Sequence, residues 1–256
     1  MNTTKIIEAA KIGGEVIMKY FGQSLETTQK SSVADFRTKA DLESENAILS
    51  ILTSEFPEWN IISEENGEVN KGSEYTIVID PLDGTNNFSL GIPNFTVSIA
   101  VIKSQEIIFG LVYLPVMKLL YFAEKGKGSF MDQQKLIVNE ESTLSNSSIS
   151  IVSGYTGGYN FSSEITKSLN DQNAKRILTN WSPAFDFCLL ASGKIEGIIH
   201  NNVELYDYAA GKLIATEAGA IITGFNNEIV SDMEGKFITS NGASLHKLLI
   251  EMVQNK

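Results

Sequence analysis

One segment decides the fold: residues 75–85 read Tyr-Thr-Ile-Val-Ile-Asp-Pro-Leu-Asp-Gly-Thr. Apolar and β-branched residues lead directly into Asp80, which is typical of a buried strand with carboxylates at its carboxyl end. Pro81 has no N–H for a sheet ladder, so we expect the strand to end there. An Asp-rich turn before a glycine is the ordinary structural explanation for such a segment.

The two acids of this segment, Asp80 and Asp83, also predict a cation site. Carboxylates so close together in a half-buried turn need a compensating charge, and oxygen ligands favour a hard divalent cation. Gly84 lets the backbone approach a ligand, and the amides of Gly84 and Thr85 are expected to face an anion. The segment therefore indicates a site for a metal and an anionic group.

The composition fits one large domain or two modest ones. The chain has 256 residues, of which 43% are hydrophobic and 20% charged, so we expect a packed core. The net charge of -11 argues against a nucleic-acid polymer as a partner. The one cysteine, Cys188, fits a reducing, cytoplasmic location. No apolar stretch reaches the length of a membrane span.

Hydrophobic periodicity predicts mixed secondary structure in the first half. Gly13 and Gly14, inside the first expected helix, indicate a close contact with another element. Asp41 is expected to begin or cap the second helix, and a short strand should end at Glu64. The expected elements are helices over 4–21 and 41–56, a loop over 66–74, and strands over 95–101, 107–114 and 119–122.

In the second half, strands and helices alternate, which predicts an α/β layer. A polar segment over residues 139–147 separates the halves, and we place a domain boundary there. The expected elements are strands over 148–152, 175–179, 196–200, 220–223 and 236–239, and helices over 162–170, 184–192, 207–218 and 243–254.

Four motifs occur in order along the chain. Residues 80–88 match Asp-Pro-(Ile/Leu)-Asp-Gly-Thr-x-Asn-Phe, and residues 206–211 match Trp-Asp-x-Ala-Ala-Gly with tyrosine for tryptophan. Residues 63–65 correspond to a Gly-Glu-Glu element. Residues 30–41 correspond to an upstream Lys…Asp-x-Val-Thr-x-x-Asp element, with Arg37 where valine is usual. Together the motifs resemble the inositol monophosphatase family of metal-dependent, lithium-sensitive phosphatases, over nearly the whole chain.

The resemblance implies a fold and an activity. The fold would be a layered α-β-α-β-α sandwich, with an α+β domain of residues 1–142 that carries most metal ligands and an α/β domain of residues 143–256. The activity would be hydrolysis of a small phosphate monoester by activated water, with about two to three Mg²⁺ ions per site. Inositol 1-phosphate or a related sugar phosphate is the expected substrate. Histidinol phosphate, fructose 1,6-bisphosphate and 3′,5′-bisphosphonucleotides stay open. A cytoplasmic homodimer without nucleic-acid or membrane partners is expected.

The resemblance also implies roles for individual residues. The implied metal ligands are Glu64, Asp80, the Leu82 carbonyl, Asp83 and Asp207. The implied catalytic residues are Asp41, Thr85 and Glu64. Asp41 and Thr85 would orient and help deprotonate the water, and Glu64 would also support a third, weaker ion. The implied substrate contacts are Lys30, Gly84, Thr85, Trp181, Ser182 and His200.

Two of these positions depart from the family pattern. Trp181 stands where glycine is usual, so it should fill space or stack on a ring, with core packing as the alternative. His200 stands roughly where inositol-selective members place a glutamate, and its alternative is a satisfied histidine at a strand end.

Two other classes of protein stay open beside the phosphatase. One is a metal-binding regulatory module that turns nothing over. The other is a glycosidase that uses paired carboxylates. Metal ions suit the phosphatase chemistry best, because they neutralise the phosphate dianion and lower the pKa of the attacking water.

Overall fold

The secondary structure follows the expected order of elements. The computed structural model describes residues 1–32, 35–154 and 158–255. Its helices are α1 (Thr3–Tyr20), α2 (Lys39–Glu55), α3 (Thr85–Ser89), α4 (Gly158–Asp171), α5 (Pro183–Ala191), α6 (Leu205–Glu217) and α7 (Ala243–Gln254). Its strands are β1 (Thr27–Ser32), β2 (Asp35–Thr38), β3 (Asn60–Ser63), β4 (Gly67–Val69), β5 (Tyr75–Asp83), β6 (Thr96–Lys103), β7 (Glu106–Leu114), β8 (Leu119–Glu124), β9 (Gly128–Met131), β10 (Gln134–Lys135), β11 (Ser148–Ser153), β12 (Arg176–Leu178), β13 (Gly197–Asn201), β14 (Ile221–Thr223) and β15 (Phe237–Ser240).

The strands form one hairpin and two larger sheets. β1 and β2 pair with each other as an antiparallel hairpin. The first large sheet has eight strands in the order β10-β9-β8-β7-β6-β5-β3-β4, and the second has five in the order β12-β11-β13-β15-β14. β3 and β5 run parallel in the first sheet, so their carboxyl ends lie side by side.

Alternation along the strands separates the cores on the two faces of the first sheet. In β5, Ile77 packs with α1 and α2 on one face, and its neighbour Val78 packs with α5 and α6 on the other. The far sides of α5 and α6 pack on the five-stranded sheet through residues such as Phe187 and Ile198. α4 and α7 cover the outer face of that sheet. The predicted α-β-α-β-α sandwich is confirmed.

Helix α6 is buried on every side because it lies between the two sheets. Residues 208–215 are all buried. A Cβ added to Gly211 would lie 2.4 Å from Cδ2 of Phe187 on α5. A Cβ added to Gly110 on β7 would lie 2.5 Å from the carbonyl oxygen of Ala210. Small residues at this crossing therefore let α6 approach both neighbours.

Strand β5 does not end at Pro81, so that prediction was wrong. β5 continues to Asp83, with Asp80 opposite Ser98 and Asp83 opposite Thr96 on β6. Three steps on β5 thus match two on β6, which is a bulge, and a bulge accommodates proline. The extra residue matters because acids three positions apart would otherwise point to opposite faces.

Other differences concern helix starts and short strands. Helix α2 is capped by Thr38, and Asp41 is the third helical residue of a capping box, rather than the cap itself. The expected loop over 66–74 contains the short strand β4, and β9 and β10 were not foreseen. The expected close contact at the paired glycines is confirmed: a Cβ added to Gly13 would lie 2.7 Å from Cδ1 of Ile48 on α2.

The division into residues 1–142 and 143–256 stays a prediction. Strands β3 to β10 of the first half build the eight-stranded sheet, and strands β11 to β15 build the other. Helices α5 and α6 from the second half nevertheless pack against the first sheet. None of the helices in the described ranges is long and apolar enough to span a bilayer.

Candidate active site

Three carboxylates converge between the sheets. Asp80 and Asp83 come from the bulged end of β5, and Asp207 comes from the first turn of α6. Each offers an oxygen within 4.8 Å of the others. The bulge turns both β5 acids toward the same side, and α6 directs its amino-terminal turn at them. Acids far apart in sequence therefore share one pocket.

Glu64 extends this cluster. It follows β3, and its backbone N–H donates to the carbonyl of Ile79 on the parallel strand β5, at 3.2 Å. Burial raises the pKa of Asp80 well above its usual value, and the nearby charge of Glu64 raises it further. Parallel pairing thus places a fourth carboxylate beside Asp80.

The four acids are short of compensating positive charge. Burial raises the pKa of Glu64 to about 7, although Lys30 opposes the shift. Burial also raises the pKa of Asp83 to about 7 and that of Asp207 well above its usual value. Such carboxyls hold protons unless a cation replaces them. Because the donors are all oxygens, the cluster fits a hard divalent ion.

Hydrogen bonds from both halves of the chain fix the orientation of Asp83. Its Oδ2 accepts from Oγ1 of Thr96 at 3.1 Å, from Oγ of Ser182 at 2.6 Å and from the backbone N–H of Ala184 at 3.2 Å. The Ser182 hydroxyl, a predicted substrate contact, is thus used to hold Asp83. The contacts from Thr96 and Ala184 were not foreseen, although Thr96 follows from the strand register once the bulge is known.

Asp41 and Thr85 form a buried pair beside the cluster. Oδ2 of Asp41 accepts from the backbone N–H and the hydroxyl of Thr38, at 2.8 and 2.6 Å. Oδ1 of Asp41 lies 3.0 Å from Oγ1 of Thr85, which also lies 3.0 Å from the Leu82 carbonyl oxygen. Burial raises the pKa of Asp41 to about 6, although the bonds from Thr38 oppose the shift.

The turn after β5 requires glycine at position 84. Gly84 has φ 95°, in the left-handed region, and a Cβ there would lie 2.9 Å from the carbonyl oxygen of Asn94. Both conditions exclude larger residues. Gly84 leads directly into α3, and the expected role of the Gly84 and Thr85 amides in holding a phosphate stays a prediction.

The β1–β2 hairpin brings a cation to the acids. Nζ of Lys30 lies 2.8 Å from Oε1 of Glu64 and also contacts Glu65, which pairs with Arg37 at 3.4 Å. Burial lowers the pKa of Lys30, but the two glutamates together outweigh it and raise the pKa above its usual value. Lys30 therefore stays charged beside the cluster.

Trp181 and His200 lie in opposite environments. Trp181 is 54% exposed, so the alternative of core packing does not apply. His200 is fully buried and stacks between Phe187 and Phe237, at centroid distances of 4.8 and 4.7 Å. Burial lowers the pKa of His200 to about 3. A substrate contact at His200 does not fit this placement, and we correct that prediction.

Comparisons with known proteins agree with this geometry. The family model described as "Inositol monophosphatase family" matches residues 2–256. The chain is 30% identical over 241 residues to a fructose-1,6-bisphosphatase/inositol-1-monophosphatase of Thermotoga maritima, covering 94% of this chain and 91% of that protein. It is 33% identical over 254 residues to the Nus factor SuhB of Vibrio cholerae, covering 97% and 94%. The crystal structure of the extragenic suppressor protein suhB of Bartonella henselae superposes with a TM-score of 0.91 at 26% identity, covering 98% of each chain.

These matches define the class of protein: the chain is a phosphoric monoester hydrolase. It belongs to the inositol monophosphatase family, whose model spans nearly its full length. The resemblance noted in the four sequence motifs is thereby confirmed.

Proposed function

We propose that the protein is a Mg²⁺-dependent phosphomonoesterase that hydrolyses a small phosphorylated metabolite. The convergence of Asp80, Asp83 and Asp207 on one pocket, with the Asp41–Thr85 pair beside it, carries this proposal. Glu64 and the Leu82 carbonyl would complete the set of ligands. Bound Mg²⁺ would neutralise the phosphate dianion and acidify the attacking water.

The Asp41–Thr85 pair is suited to move a proton. The Thr85 hydroxyl has a single hydrogen, which it donates to Asp41 or to the Leu82 carbonyl. When it donates to Asp41, its oxygen is free to accept a proton from water as its own proton passes to Oδ1 of Asp41. A pKa of about 6 leaves Asp41 mostly ionised at neutral pH, as a general base requires.

The remaining site residues would bind and orient the substrate. The amides of Gly84 and Thr85 would hold the phosphate. Lys30 would add positive charge beside Glu64. Ser182 would act through Asp83, whose carboxylate it orients.

Inositol 1-phosphate or a related sugar phosphate is the first substrate to test, because relatives carry the names inositol-1-monophosphatase and fructose-1,6-bisphosphatase/inositol-1-monophosphatase. We further propose lithium sensitivity and a homodimer, both by family likeness, and a cytoplasmic location, which the single buried Cys188 fits. Small phosphate esters would then be its partners.

Phosphate release from a panel of sugar phosphates, histidinol phosphate and bisphosphonucleotides tests the proposal. Release should stop in EDTA, return with Mg²⁺ and fall at least about 100-fold in Asp83→Asn. Asp171→Asn removes an exposed charge on α4 and should leave release unchanged. A fully active Asp83→Asn, or release that persists in EDTA, would refute the metal role. Tight Mg²⁺ binding without any release would favour a regulatory module instead.

A further inference from the structure

Trp181 lies beside the metal site in a conformation that is unfavourable for tryptophan. Its φ is 54°, in the left-handed region, and its side chain is largely exposed. A bulky residue there stores backbone strain, and an exposed indole forgoes burial. The next residue, Ser182, donates to Asp83 at 2.6 Å. A Cβ added to Gly84 would lie 3.3 Å from Cβ of Ser182, so the residue that follows Trp181 adjoins the turn expected to hold the phosphate.

The backbone on the other side of Trp181 is held just as firmly. The carbonyl oxygen of Asn180 accepts from the side-chain amide of Asn87 on α3, at 2.7 Å. It also accepts from the side-chain amide of Asn94, at 3.2 Å. Both flanks of Trp181 are therefore tied to the segment that follows β5. The backbone at Trp181 is thus anchored on both sides.

The segment whose asparagines bind the Asn180 carbonyl also carries exposed apolar side chains. Leu90 and Ile92, which are 65% and 41% exposed, lie on the segment between α3 and Asn94. We call Trp181, Leu90 and Ile92 the apolar rim. His200, which was expected to offer a polar contact here, is buried between two phenylalanine rings. A polyol leaving group needs hydrogen-bonding partners that these three side chains do not supply.

We propose that Trp181 is a specificity residue that stacks on a planar ring in the leaving group of the phosphate ester. The inference rests on the proposed phosphatase activity and narrows its substrate class to esters of ring-bearing alcohols, such as nucleosides. Stacking of a base on an aromatic side chain strengthens binding by roughly 5- to 100-fold. The indole is rigid, so little entropy is lost when a ring stacks on it.

The test compares two substrates that differ by the adenine base: adenosine 5′-monophosphate and ribose 5-phosphate. In Trp181→Gly, the ratio of their kcat/KM values should fall by roughly 5- to 100-fold. Glycine adopts the φ of 54° without strain, so the variant should fold. Trp181→Phe should restore part of the ratio. The matched control is Trp59→Phe, since Trp59, the other tryptophan, stacks between Phe56 and Tyr75 and should not affect the ratio.

Fluorescence supplies a readout that does not depend on turnover. In Trp59→Phe, Trp181 is the sole tryptophan, and adenosine 5′-monophosphate should quench it while ribose 5-phosphate does not. An unchanged ratio in Trp181→Gly would overturn the inference. A change of oligomeric state with that ratio unchanged would also overturn it and identify the apolar rim as an interface between copies. Failure of the phosphatase proposal looks different: the wild type would release phosphate from neither ester, while quenching by the adenine ring would still report stacking.

Discussion

Replacement of Asp207 by asparagine is expected to stabilise the metal-free protein. Asp207 shares a pocket with Asp80 and Asp83, and burial, followed by the charges of Glu64 and Asp83, raises its pKa well above its usual value. The ionised side chain is therefore unfavourable in the folded chain and unpenalised in the unfolded chain. Asparagine keeps the shape and can still accept the hydrogen bond from the backbone N–H of Glu204, but it carries no charge.

The sign and size of the effect follow from linkage. A carboxyl whose pKa is raised by folding stabilises the folded state below its unfolded pKa, and this contribution is lost as pH rises through the folded pKa. A proton that is kept in the folded chain and lost in the unfolded chain lowers the free energy of unfolding by about 1.4 kcal/mol per pH unit, so between about pH 6.5 and about pH 8 one carboxyl contributes at most about 2 kcal/mol. For a chain of this length that is about 4–8 °C in melting temperature. Wild type and variant share the titrations outside the cluster, so the difference in slope reports on the cluster as a whole.

Thermal unfolding in EDTA at the two pH values measures this difference. The wild type should lose stability as pH rises, and Asp207→Asn should lose less, by at most about 2 kcal/mol for the one carboxyl removed. Added Mg²⁺ should raise the melting temperature of the wild type, more at the higher pH, and should have little effect on Asp207→Asn. Asp171→Asn, on the exposed side of α4, is the control for loss of one negative charge. Equal slopes for wild type and Asp207→Asn, with no response to Mg²⁺, would refute the electrostatic account of the site.

Substitutions at four further positions test single contacts. Thr85→Val should lower kcat by about 10²- to 10⁴-fold, and Thr85→Ser should retain most activity, as steady-state kinetics would show. The pKa of Asp41, about 6, predicts that kcat/KM of the wild type rises as pH increases through about 6. This rise should be absent in Asp41→Asn, and a pH–rate profile measures it. Ser182→Ala should raise the Mg²⁺ concentration needed for half-maximal activity by about 10- to 100-fold, because Asp83 loses a hydrogen-bond donor. A Mg²⁺ titration of activity measures this concentration. Within the described residues, neither ring nitrogen of His200 has a hydrogen-bond partner, so His200→Leu should stabilise the fold by about 1–2 kcal/mol in urea unfolding; a raised KM would restore a substrate role.

The sequence determines the order of elements because local patterns persist in the folded chain. The alternation after residue 147 predicts the bounds of each strand of the second sheet, and of the helices between them, to within a few residues. The end of β5 was predicted wrongly because Pro81 was considered without its neighbours. β5 forms a bulge against β6 at this point, and the bulge accommodates the proline. β9 and β10 were missed because they have only four and two residues, which is too short for a periodic pattern. These outcomes depend on tertiary pairing, which local patterns do not contain.

The acids of the site were predictable for a different reason. Asp80, Asp83 and Asp207 occur in motifs whose spacing indicates chemistry, and the structure brings all three together. Their supporting contacts were not predictable, since the donors Thr96 and Ala184 have no motif of their own. His200 shows the limit of inference by position: a residue aligned with a substrate contact can be turned inward when aromatic neighbours on α5 and β15 enclose it.

The site also bears on the proposed division of the chain at residues 142 and 143. Asp83 accepts hydrogen bonds from Thr96 in the first half and from Ser182 in the second, and Asp207 enters on α6. The sheet face that contains Val78 and Ala100 is covered only by α5 and α6 among the described helices. Residues 1–142 alone would therefore expose an apolar face and lack one of the three converging acids. We infer that the two proposed domains are layers of one functional unit, because neither half can assemble the metal site without the other.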